Sequence, residues 1–268
     1  MSSSSWLPDE WPKTTILIER REVKDSKDEY IPIGTGFLID YKTKNFLVTC
    51  KHVVNNKEED LFACFNLKNG QIARRSILEI KKQHKVEWIF HRTEDVAMIV
   101  FAIDPINDEL RKLPKELFEN FNELEVGDDI FFLGYPMGLR ALKSASPIVR
   151  AGIISLKESD DTLLIDGTVF PGNSGSPVFL KPSFFNIKQR SLGTIREAKL
   201  IGMINSYLPY SDIAISQQTQ KPRIIFEENS GLAKVISMNL IEEIFGYSEF
   251  KKMYGFEEEK DKELPTTS

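Results

Sequence analysis

The chain has 268 residues, of which 41% are hydrophobic and 28% charged. This composition fits one large or two small globular domains and is too apolar for a disordered chain. The net charge of −5 provides no basic surface for a nucleic-acid backbone. The longest apolar run, residues 96–103, has eight residues, whereas a helix needs about 20 to cross a bilayer. We therefore expect neither a nucleic-acid partner nor a membrane association.

The first hundred residues predict an all-β fold, because short apolar segments alternate with polar turns. The first strand begins at Thr15, and two more follow at 34–40 and 45–50, separated by the polar turn 41–44. Further apolar segments follow at 61–67, 77–80, 86–90 and 96–103.

Residues 104–125 place leucine and phenylalanine among charged side chains, which predicts a connector with one or two helical turns. A second set of strands is predicted at 129–134, 147–156, 162–166, 177–180 and 198–206. Apolar residues between Leu232 and Phe245 recur every three or four positions, which predicts an amphipathic helix. The charged residues that follow predict a solvated tail.

The N-terminal ten residues lack a basic segment followed by an apolar one, so they show no secretory signal. A mature chain whose signal had been removed would look the same, which leaves secretion open. Two cysteines, Cys50 and Cys64, are too few for a disulfide-built scaffold. We expect two reduced, packed thiols in a cytoplasmic protein.

A catalytic histidine must be His52, His84 or His91, because the chain has no other. His84 lies in a charged segment that predicts a surface position. His91 sits beside Arg92 and is compatible with any strand end. His52 ends an apolar strand, where a single histidine is as readily a packed core residue as a functional one.

The segment 170–177 reads Phe-Pro-Gly-Asn-Ser-Gly-Ser-Pro. Glycines around Ser174 permit a tight loop whose backbone N–H groups converge, as a developing oxyanion requires. A plain turn between strands is the alternative interpretation. The α/β-hydrolase order requires a histidine after the serine, and no histidine follows Ser174. A papain-like pair would need a histidine well downstream of its cysteine, which the positions of Cys50 and the three histidines fit poorly. The order that remains is His, Asp, Ser.

Several aspartates lie between His52 and Ser174, and the choice among them depends on context. Asp95 immediately precedes a strongly apolar strand, where a carboxylate can face the histidine. Asp60 and Asp104 lie in charged or turn segments, and we expect Asp95 to orient the imidazole.

Five segments, in this order, resemble motifs of the trypsin/chymotrypsin-fold serine proteases. They are 34–39 (Gly-Thr-Gly-Phe-Leu-Ile), 48–53 (Val-Thr-Cys-Lys-His-Val), 94–99 (Glu-Asp-Val-Ala-Met-Ile), 149–155 (Val-Arg-Ala-Gly-Ile-Ile-Ser) and 171–177 (Pro-Gly-Asn-Ser-Gly-Ser-Pro). The serine segment is most similar to that of HtrA-type proteases.

The resemblance spans residues 14–246 and implies an all-β fold of two six-stranded antiparallel β-barrels of the chymotrypsin type, with a C-terminal helix. The expected organisation is an N-terminal extension (1–13), a first barrel (14–104), an interbarrel linker (105–125), a second barrel with the closing helix (126–246) and a charged tail (247–268).

The resemblance also implies roles for individual residues. His52 would be the general base, Asp95 its orienting carboxylate and Ser174 the nucleophile. The backbone N–H groups of Gly172 and Ser174, with Asn173 between them, would form the oxyanion hole.

The substrate pocket is expected from Thr168 and from the strand that contains Asn205, Ser206 and Tyr207. Thr168 is neutral, so binding of Lys or Arg by a basal aspartate is not supported. Tyr207 stands where the family often has glycine, and we expect it to narrow the entrance.

Departures from the family pattern change some expectations. Asn173 replaces the aspartate that pairs with a newly cleaved N-terminus in the trypsin branch, so zymogen cleavage is not implied. Ser176 replaces the second glycine of the serine motif. Val53 stands where secreted digestive enzymes have a cysteine, so their disulfide is absent. Asp166 matches an aspartate of the HtrA-type segment that is not part of the triad, and no PDZ domain is expected in this chain.

The hypothesis is thus a serine endopeptidase that cleaves protein or peptide substrates through an acyl-enzyme. No cofactor is expected, and no metal, since two cysteines and three scattered histidines show no ligand spacing. A catalytically silent module that binds extended peptides or a partner protein is the alternative. We expect low basal activity that an activating protein partner raises by ordering the loop 168–173. A permanently formed oxyanion hole, restrained by narrow specificity, is the other possibility.

Overall fold

The computed structural model describes residues 10–55, 60–141, 143–187 and 191–256. Antiparallel strands dominate these ranges, and they form two β modules with short helices at their edges. Most of the predicted extension 1–13 and the end of the predicted tail, 257–268, lie outside the described residues. No helix within the described ranges is long and apolar enough to cross a membrane.

The first module is a seven-stranded sheet with the strand order β5-β4-β1-β2-β3-β7-β6. Its strands are β1 Thr15–Lys24, β2 Lys27–Tyr41, β3 Lys44–Thr49, β4 Leu61–Asn66, β5 Ile72–Ser76, β6 Ile89–Phe90 and β7 Ala97–Val100. Two helices belong to this module, α1 Lys51–Val54 and α2 Ile77–His84.

The second module is a closed barrel with the strand order β10-β15-β14-β11-β8-β9. Its strands are β8 Asp129–Gly134, β9 Ile148–Lys157, β10 Thr162–Asp166, β11 Pro177–Leu180, β14 Leu200–Ile215 and β15 Pro222–Ser237. A separate hairpin pairs β12 Ser183–Asn186 with β13 Ser191–Arg196.

The predicted all-β fold of the chymotrypsin type, with a second barrel and C-terminal helical residues, is confirmed. The first module differs from the expected closed six-stranded barrel. It has seven strands, and its outer strands β5 and β6 do not pair with each other. The connector 105–125 contains the two predicted helical turns, both of the 3-10 type, at Lys115–Leu117 and Phe121–Glu123.

The two modules share buried contacts that hold the cleft between them. Trp11 stacks on Phe131 and Phe179 of the second barrel, with ring centroids 5.3 and 4.8 Å apart. Tyr135 of the second module is fully buried and packs with Leu17 and Cys64 of the first sheet. Burial of side chains this large contributes roughly 1.5–3 kcal/mol each, so these contacts fix the relative position of the modules.

The helix predicted from Leu232 to Phe245 is wrong over its first six residues. Residues 232–237 continue β15, and helix α3 (Met238–Glu243) begins only afterwards. Val235 pairs with Leu163 of β10 on one side and with Ile204 of β14 on the other. In this part of β15, Ala233, Val235 and Ile236 are buried, and these apolar residues extended the helical pattern of the segment behind it.

The prediction of a solvated tail is also wrong for its first residues, because they form helix α4 (Ser248–Tyr254), which packs on the first module. Phe250 and Tyr254 are buried and contact the Phe46 ring at centroid distances of 5.2 and 4.9 Å. Tyr41 stacks on Phe245 at 3.9 Å. These aromatic contacts attach the C-terminal helices to the module that contains His52.

Candidate active site

His52 lies in α1, the single helical turn that follows β3, rather than in the strand itself. Its Nδ1 is 2.5 Å from Asp95 Oδ2, and its backbone amide donates to Asp95 Oδ1 at 2.9 Å. The His52 side chain is 51% exposed, so its second ring nitrogen is accessible from the cleft. This geometry orients the imidazole with Nδ1 toward the carboxylate.

Asp95 precedes β7 and is held from three directions. Asn205 Nδ2 donates to Oδ2 at 2.8 Å, in addition to the two bonds from His52. Burial raises the pKa of the Asp95 carboxyl, but the hydrogen bonds and charge of His52, with the bond from Asn205, outweigh it and hold this pKa below its ordinary value of 3.8. Asp95 is therefore an anion at neutral pH.

The other acidic candidates have different partners. Asp60 forms an ion pair with Arg21 at 3.2 Å. Asp104 accepts hydrogen bonds within its own turn, from the amides of Ile106 and Asn107. Neither contacts His52 in the described part of the chain.

Ser174 lies in the loop before β11 and is partly exposed. Its carbonyl accepts from the Thr35 amide at 2.9 Å, and the Gly175 amide donates to Ile204 O at 2.8 Å. Ile204 is followed directly by Asn205, the residue that contacts Asp95. These contacts bring the serine loop to the same cleft as His52 and Asp95. No hydrogen bond joins Ser174 to His52 within the described residues, and such bonds are often long before substrate binds.

The serine loop depends on glycine at two positions. Gly175 has φ +89°, and a Cβ there would lie 1.9 Å from Thr35 O. Gly172 has φ +96°, and a Cβ there would lie 2.3 Å from Tyr135 O. Residues with a side chain rarely adopt this conformation, so both glycines allow the loop to approach neighbouring backbone.

The carbonyls that precede the serine are all hydrogen-bonded. Phe170 O accepts from the Asn173 amide, Pro171 O from the Met137 amide, and Gly172 O from Thr35 Oγ1 at 2.7 Å. The Asn173 amide is therefore used within the loop. The amides of Gly172 and Ser174 donate to no other group among the described residues, which leaves both available to a ligand.

Asn173 also differs from the aspartate of the trypsin branch in its surroundings. Its side chain is fully buried beside Gly134, and its polar atoms have no partner in the described ranges. A neutral amide costs far less to bury than an unpaired carboxylate. The Asn173 side chain can therefore be buried here without a cleaved N-terminus as its counter-ion.

Thr35 is a site residue that sequence reasoning missed, since the segment 34–39 entered only as a family motif. Besides its bonds to Gly172 and Ser174, its Oγ1 accepts from the Tyr135 amide at 3.2 Å. Thr49 Oγ1 donates to its carbonyl at 2.7 Å. Through Thr35, the first module holds the loop of the second.

The predicted substrate residues have different surroundings. The side-chain amide of Asn205 donates to Asp95. Ser206 is exposed, and its hydroxyl donates to Asn205 Oδ1. Tyr207 packs against the hydrophobic core of the second barrel. Thr168 is exposed and lines a cavity of about 440 Å³ with Asp129 and residues from β9 and β10. Its described contacts do not join it to the cluster of His52, Asp95 and Asn205.

Cys50 lies beside the His52–Asp95 pair. Its thiol is fully buried and donates to Ile204 O at 3.3 Å. Both cysteines are free, as predicted. Cys50 Sγ, a His52 nitrogen and an Asp95 oxygen lie within 4.8 Å of one another and are the one group of potential metal ligands among the described residues. Burial, reinforced by the charge of Asp95, raises the pKa of the Cys50 thiol, and a protonated thiol is a poor ligand.

His91, left unassigned by the sequence, supports the turn that leads to Asp95. It is 2% exposed. Its Nδ1 accepts from the backbone amides of Glu94 at 2.9 Å and Thr93 at 3.3 Å, and its Nε2 lies 3.1 Å from Glu243 Oε2 in α3. The imidazole thereby connects the C-terminal helix to the turn before Asp95.

Comparison with known proteins identifies related sequences. Residues 34–182, more than half of the chain, match the family model described as a trypsin-like peptidase domain. Two curated relatives from Chlamydia pneumoniae and Chlamydia trachomatis serovar D, each named as a probable periplasmic serine endoprotease DegP-like, are 27% and 29% identical over 170 and 159 residues. These matches cover 60% and 54% of this chain but 29% and 25% of the relatives. The chain thus spans less than a third of their length.

A solved structure, the serine endoprotease from Yersinia pestis, is similar in fold. The TM-score is 0.50 at 18% sequence identity, with 90% of this chain and 64% of that chain covered.

The cytoplasmic location expected from the sequence is wrong in the light of these relatives. All three curated relatives are named as probable periplasmic proteins, which contradicts that expectation. The composition of the N-terminal residues, on which the expectation depended, does not decide the compartment.

The match over residues 34–182, the two β modules and the relatives lead to one conclusion. The chain belongs to the trypsin-like peptidase family.

Proposed function

We propose that this domain is a serine endopeptidase that cleaves protein or peptide substrates through an acyl-enzyme, with Ser174 as nucleophile, His52 as general base and Asp95 as orienting anion. The observation that carries the proposal is the His52–Asp95 pair, with Nδ1 2.5 Å from Oδ2, in the cleft that the Ser174 loop enters.

In the first step, Ser174 Oγ attacks the scissile carbonyl while the free nitrogen of His52 takes the hydroxyl proton. Asp95 keeps the Nδ1 proton on the far side of the ring and stabilises the imidazolium. The same imidazolium then gives its proton to the leaving amine, and the acyl-enzyme forms. A water molecule repeats the sequence in the deacylation, which releases the acid and restores Ser174.

The oxyanion of each tetrahedral intermediate would be bound by the amides of Gly172 and Ser174. Both are unused by other groups in the described part of the chain. The Gly172 peptide is oriented by two bonds, from Met137 N to Pro171 O and from Thr35 Oγ1 to Gly172 O. Donors fixed in advance stabilise the developing charge without reorganisation at the moment of reaction.

Residues 205–207 of β14 would pair with the substrate as an added strand. On one side Ser206 and Tyr207 pair with Lys234 and Ala233 of β15. On the other side β11 pairs with β14 from Leu200 to Met203, and Ile204 bonds to Gly175 and Ser176 of the serine loop. The strand edge that is free within the described ranges therefore begins after Ile204. Thr168 completes the expected pocket and itself carries no charge that would select Lys or Arg.

Activation by a protein partner is part of the proposal. The amide that anchors Pro171 O belongs to Met137, whose φ is +55° and whose side chain is 60% exposed. A backbone conformation of this kind is costly for a residue with a side chain. A partner that contacts this turn would therefore hold it in this conformation and keep the loop 168–173 with its Gly172 donor ordered, and low basal activity is the expected state without it.

Labelling with a fluorophosphonate, detected by mass spectrometry, tests the proposal. Wild-type protein should be labelled at Ser174 only, and His52→Ala should abolish the labelling. Ser174→Ala or His52→Ala should lower kcat by about 10⁴–10⁶, and Asp95→Asn by roughly 10⁴. The matched controls His84→Ala and Asp104→Asn should retain wild-type kcat.

Wild-type turnover in either Ser174→Ala or His52→Ala would contradict the triad. If the wild-type protein is neither labelled nor active, but binds extended peptides, the alternative of a catalytically silent binding module is correct. A pre-steady-state burst that equals the enzyme concentration, unchanged by any partner, would remove the activation step and leave narrow specificity as the restraint.

A further inference from the structure

The turn that contacts the serine loop, residues 136–140, reads Pro-Met-Gly-Leu-Arg. Its Met137 amide donates to Pro171 O at 2.6 Å, and this bond orients the peptide that carries the proposed Gly172 donor. The side chains of Met137 and Leu139 are 60% and 50% exposed, so they contribute little to the position of the turn. The other residues of the turn must therefore hold it in place.

A buried carboxylate of the first module lies where the turn docks. Glu19 is 1% exposed, although a glutamate is almost never fully buried unless it is paired. The register of β1 shifts between Ile18 and Glu19, and Glu19 then pairs with Pro32 of β2. Two residues earlier, Leu17 packs with Tyr135, the residue directly before the turn. This part of the first sheet therefore faces the turn.

Two residues of the turn contact the Glu19–Pro32 pair. Gly138 has φ +70°, and a Cβ there would lie 2.7 Å from the Pro32 side chain. Arg140 Nη1 lies 3.8 Å from Glu19 Oε1 and donates to Cys64 Sγ at 3.3 Å. Arg140 is the only charged residue of the turn, and the attraction between opposite charges is stronger beside a buried carboxylate than in water.

We infer that Arg140 is a positioning residue for the oxyanion hole. Its pairing with Glu19 holds the turn against the first module, so that the Met137 amide keeps the Gly172 peptide oriented. Met137 has φ +55°, and a residue with a side chain keeps such a conformation only when its surroundings hold it there. The effect on turnover rests on the proposed function, whereas the effect on the turn is measured without turnover.

Arg74 provides a matched control, because it pairs with the same carboxylate from another element. It lies in β5, with Nε 2.5 Å from Glu19 Oε2 and Nη2 3.3 Å from Oε1. It also lies over the Tyr30 ring, and none of its contacts within the described residues reaches the serine loop. If the ion pairs of Glu19 only stabilise the fold, the two arginines are equivalent, whereas a positioning role distinguishes them.

Hydrogen exchange of the Met137 amide, followed by nuclear magnetic resonance, tests the effect on the turn. The Ser174→Ala background excludes self-digestion. Adding Arg140→Met, which keeps most of the aliphatic stem and removes the charge, should accelerate this exchange at least tenfold. Adding Arg74→Met should leave the exchange unchanged, although it removes the closer partner of Glu19 and lowers the stability measured by denaturation.

Steady-state kinetics of the same arginine variants, with Ser174 intact, test the effect on the oxyanion hole. Arg140→Met should lower kcat about 10- to 100-fold with KM almost unchanged, because losing one oxyanion donor outright costs about 10²–10³. Arg140→Lys keeps the charge and should restore most of kcat, and Arg74→Met should retain wild-type kcat. Circular dichroism would show that each variant is folded.

Wild-type exchange of the Met137 amide in Arg140→Met would overturn the inference. Equal effects of Arg140→Met and Arg74→Met would also overturn it, as would faster exchange in Arg140→Met together with wild-type kcat. If the wild-type protein is neither active nor labelled at Ser174, the proposed function fails. The exchange of the Met137 amide then decides by itself whether Arg140 holds the turn.

Discussion

Thr35→Val is expected to impair catalysis by releasing the serine loop. Thr35 is fully buried, and its hydroxyl bonds to Gly172 O at 2.7 Å and Tyr135 N at 3.2 Å. Valine has nearly the same shape but no hydroxyl, so a buried carbonyl and a buried amide lose their partner. Each loss costs roughly 1–3 kcal/mol, and we expect the free energy of unfolding to fall by about 2–6 kcal/mol.

The effect on turnover follows from the position of Gly172. Removing one oxyanion donor outright costs about 10²–10³ in kcat, and this sets the upper limit. The bond between Met137 N and Pro171 O remains, so the Gly172 peptide is loosened rather than removed. We expect kcat to fall about 10- to 100-fold with KM almost unchanged.

Steady-state kinetics on a peptide substrate and chemical denaturation measure the two effects separately. Thr162→Val is the matched control, since Thr162 is 1% exposed and its Oγ1 bonds to Asp160 Oδ1 at 2.6 Å in the second barrel, outside the serine loop. It should lower stability without lowering kcat. Thr35→Ser keeps the hydroxyl and should retain most activity. A folded Thr35→Val protein with wild-type kcat would refute this account of the loop.

Two further predictions concern titration. The pKa of Asp95 is lowered in the folded state, so its stabilising effect is present above its unfolded pKa of about 3.9 and is lost as pH falls further. The stability difference between wild type and Asp95→Asn, measured by denaturation, should therefore shrink below about pH 4, and a constant difference would contradict this. Burial raises the pKa of the Cys64 thiol to about 12 and that of Cys50 well above its usual range. Iodoacetamide at about pH 8 should label neither cysteine in the native protein and both after denaturation, and rapid native labelling of Cys50 would disagree.

The sequence predicted the elements whose pattern is local. The hydrophobic segments around Phe46 and Ile130 marked strands, and the order of the motifs placed His52, Asp95 and Ser174 in one fold. The boundary at Leu232 was missed because the buried apolar residues at the end of β15, Ala233, Val235 and Ile236, merged with those of α3.

Contacts between distant segments were beyond sequence reasoning. Thr35 lies 137 positions from Gly172, and His91 lies 152 positions from Glu243, so neither side chain stands out by local pattern. The outer part of the β14–β15 hairpin, residues 209–229, was missed for another reason. Its apolar residues alternate irregularly with charges, and no buried face repeats along it.

His91 provides the last test, because it acts on Asp95 only through the turn between them. Its Nδ1 accepts two backbone amides, from Thr93 and Glu94, and an asparagine at this position can accept the same amides with its shorter side chain. His91→Leu should lower the free energy of unfolding by about 2–4 kcal/mol and kcat by more than tenfold, with KM retained. His91→Asn should restore most of kcat, although its contact with Glu243 is lost. If His91→Asn is as inactive as His91→Leu while Glu243→Gln is also inactive, the C-terminal helix and not the turn positions Asp95.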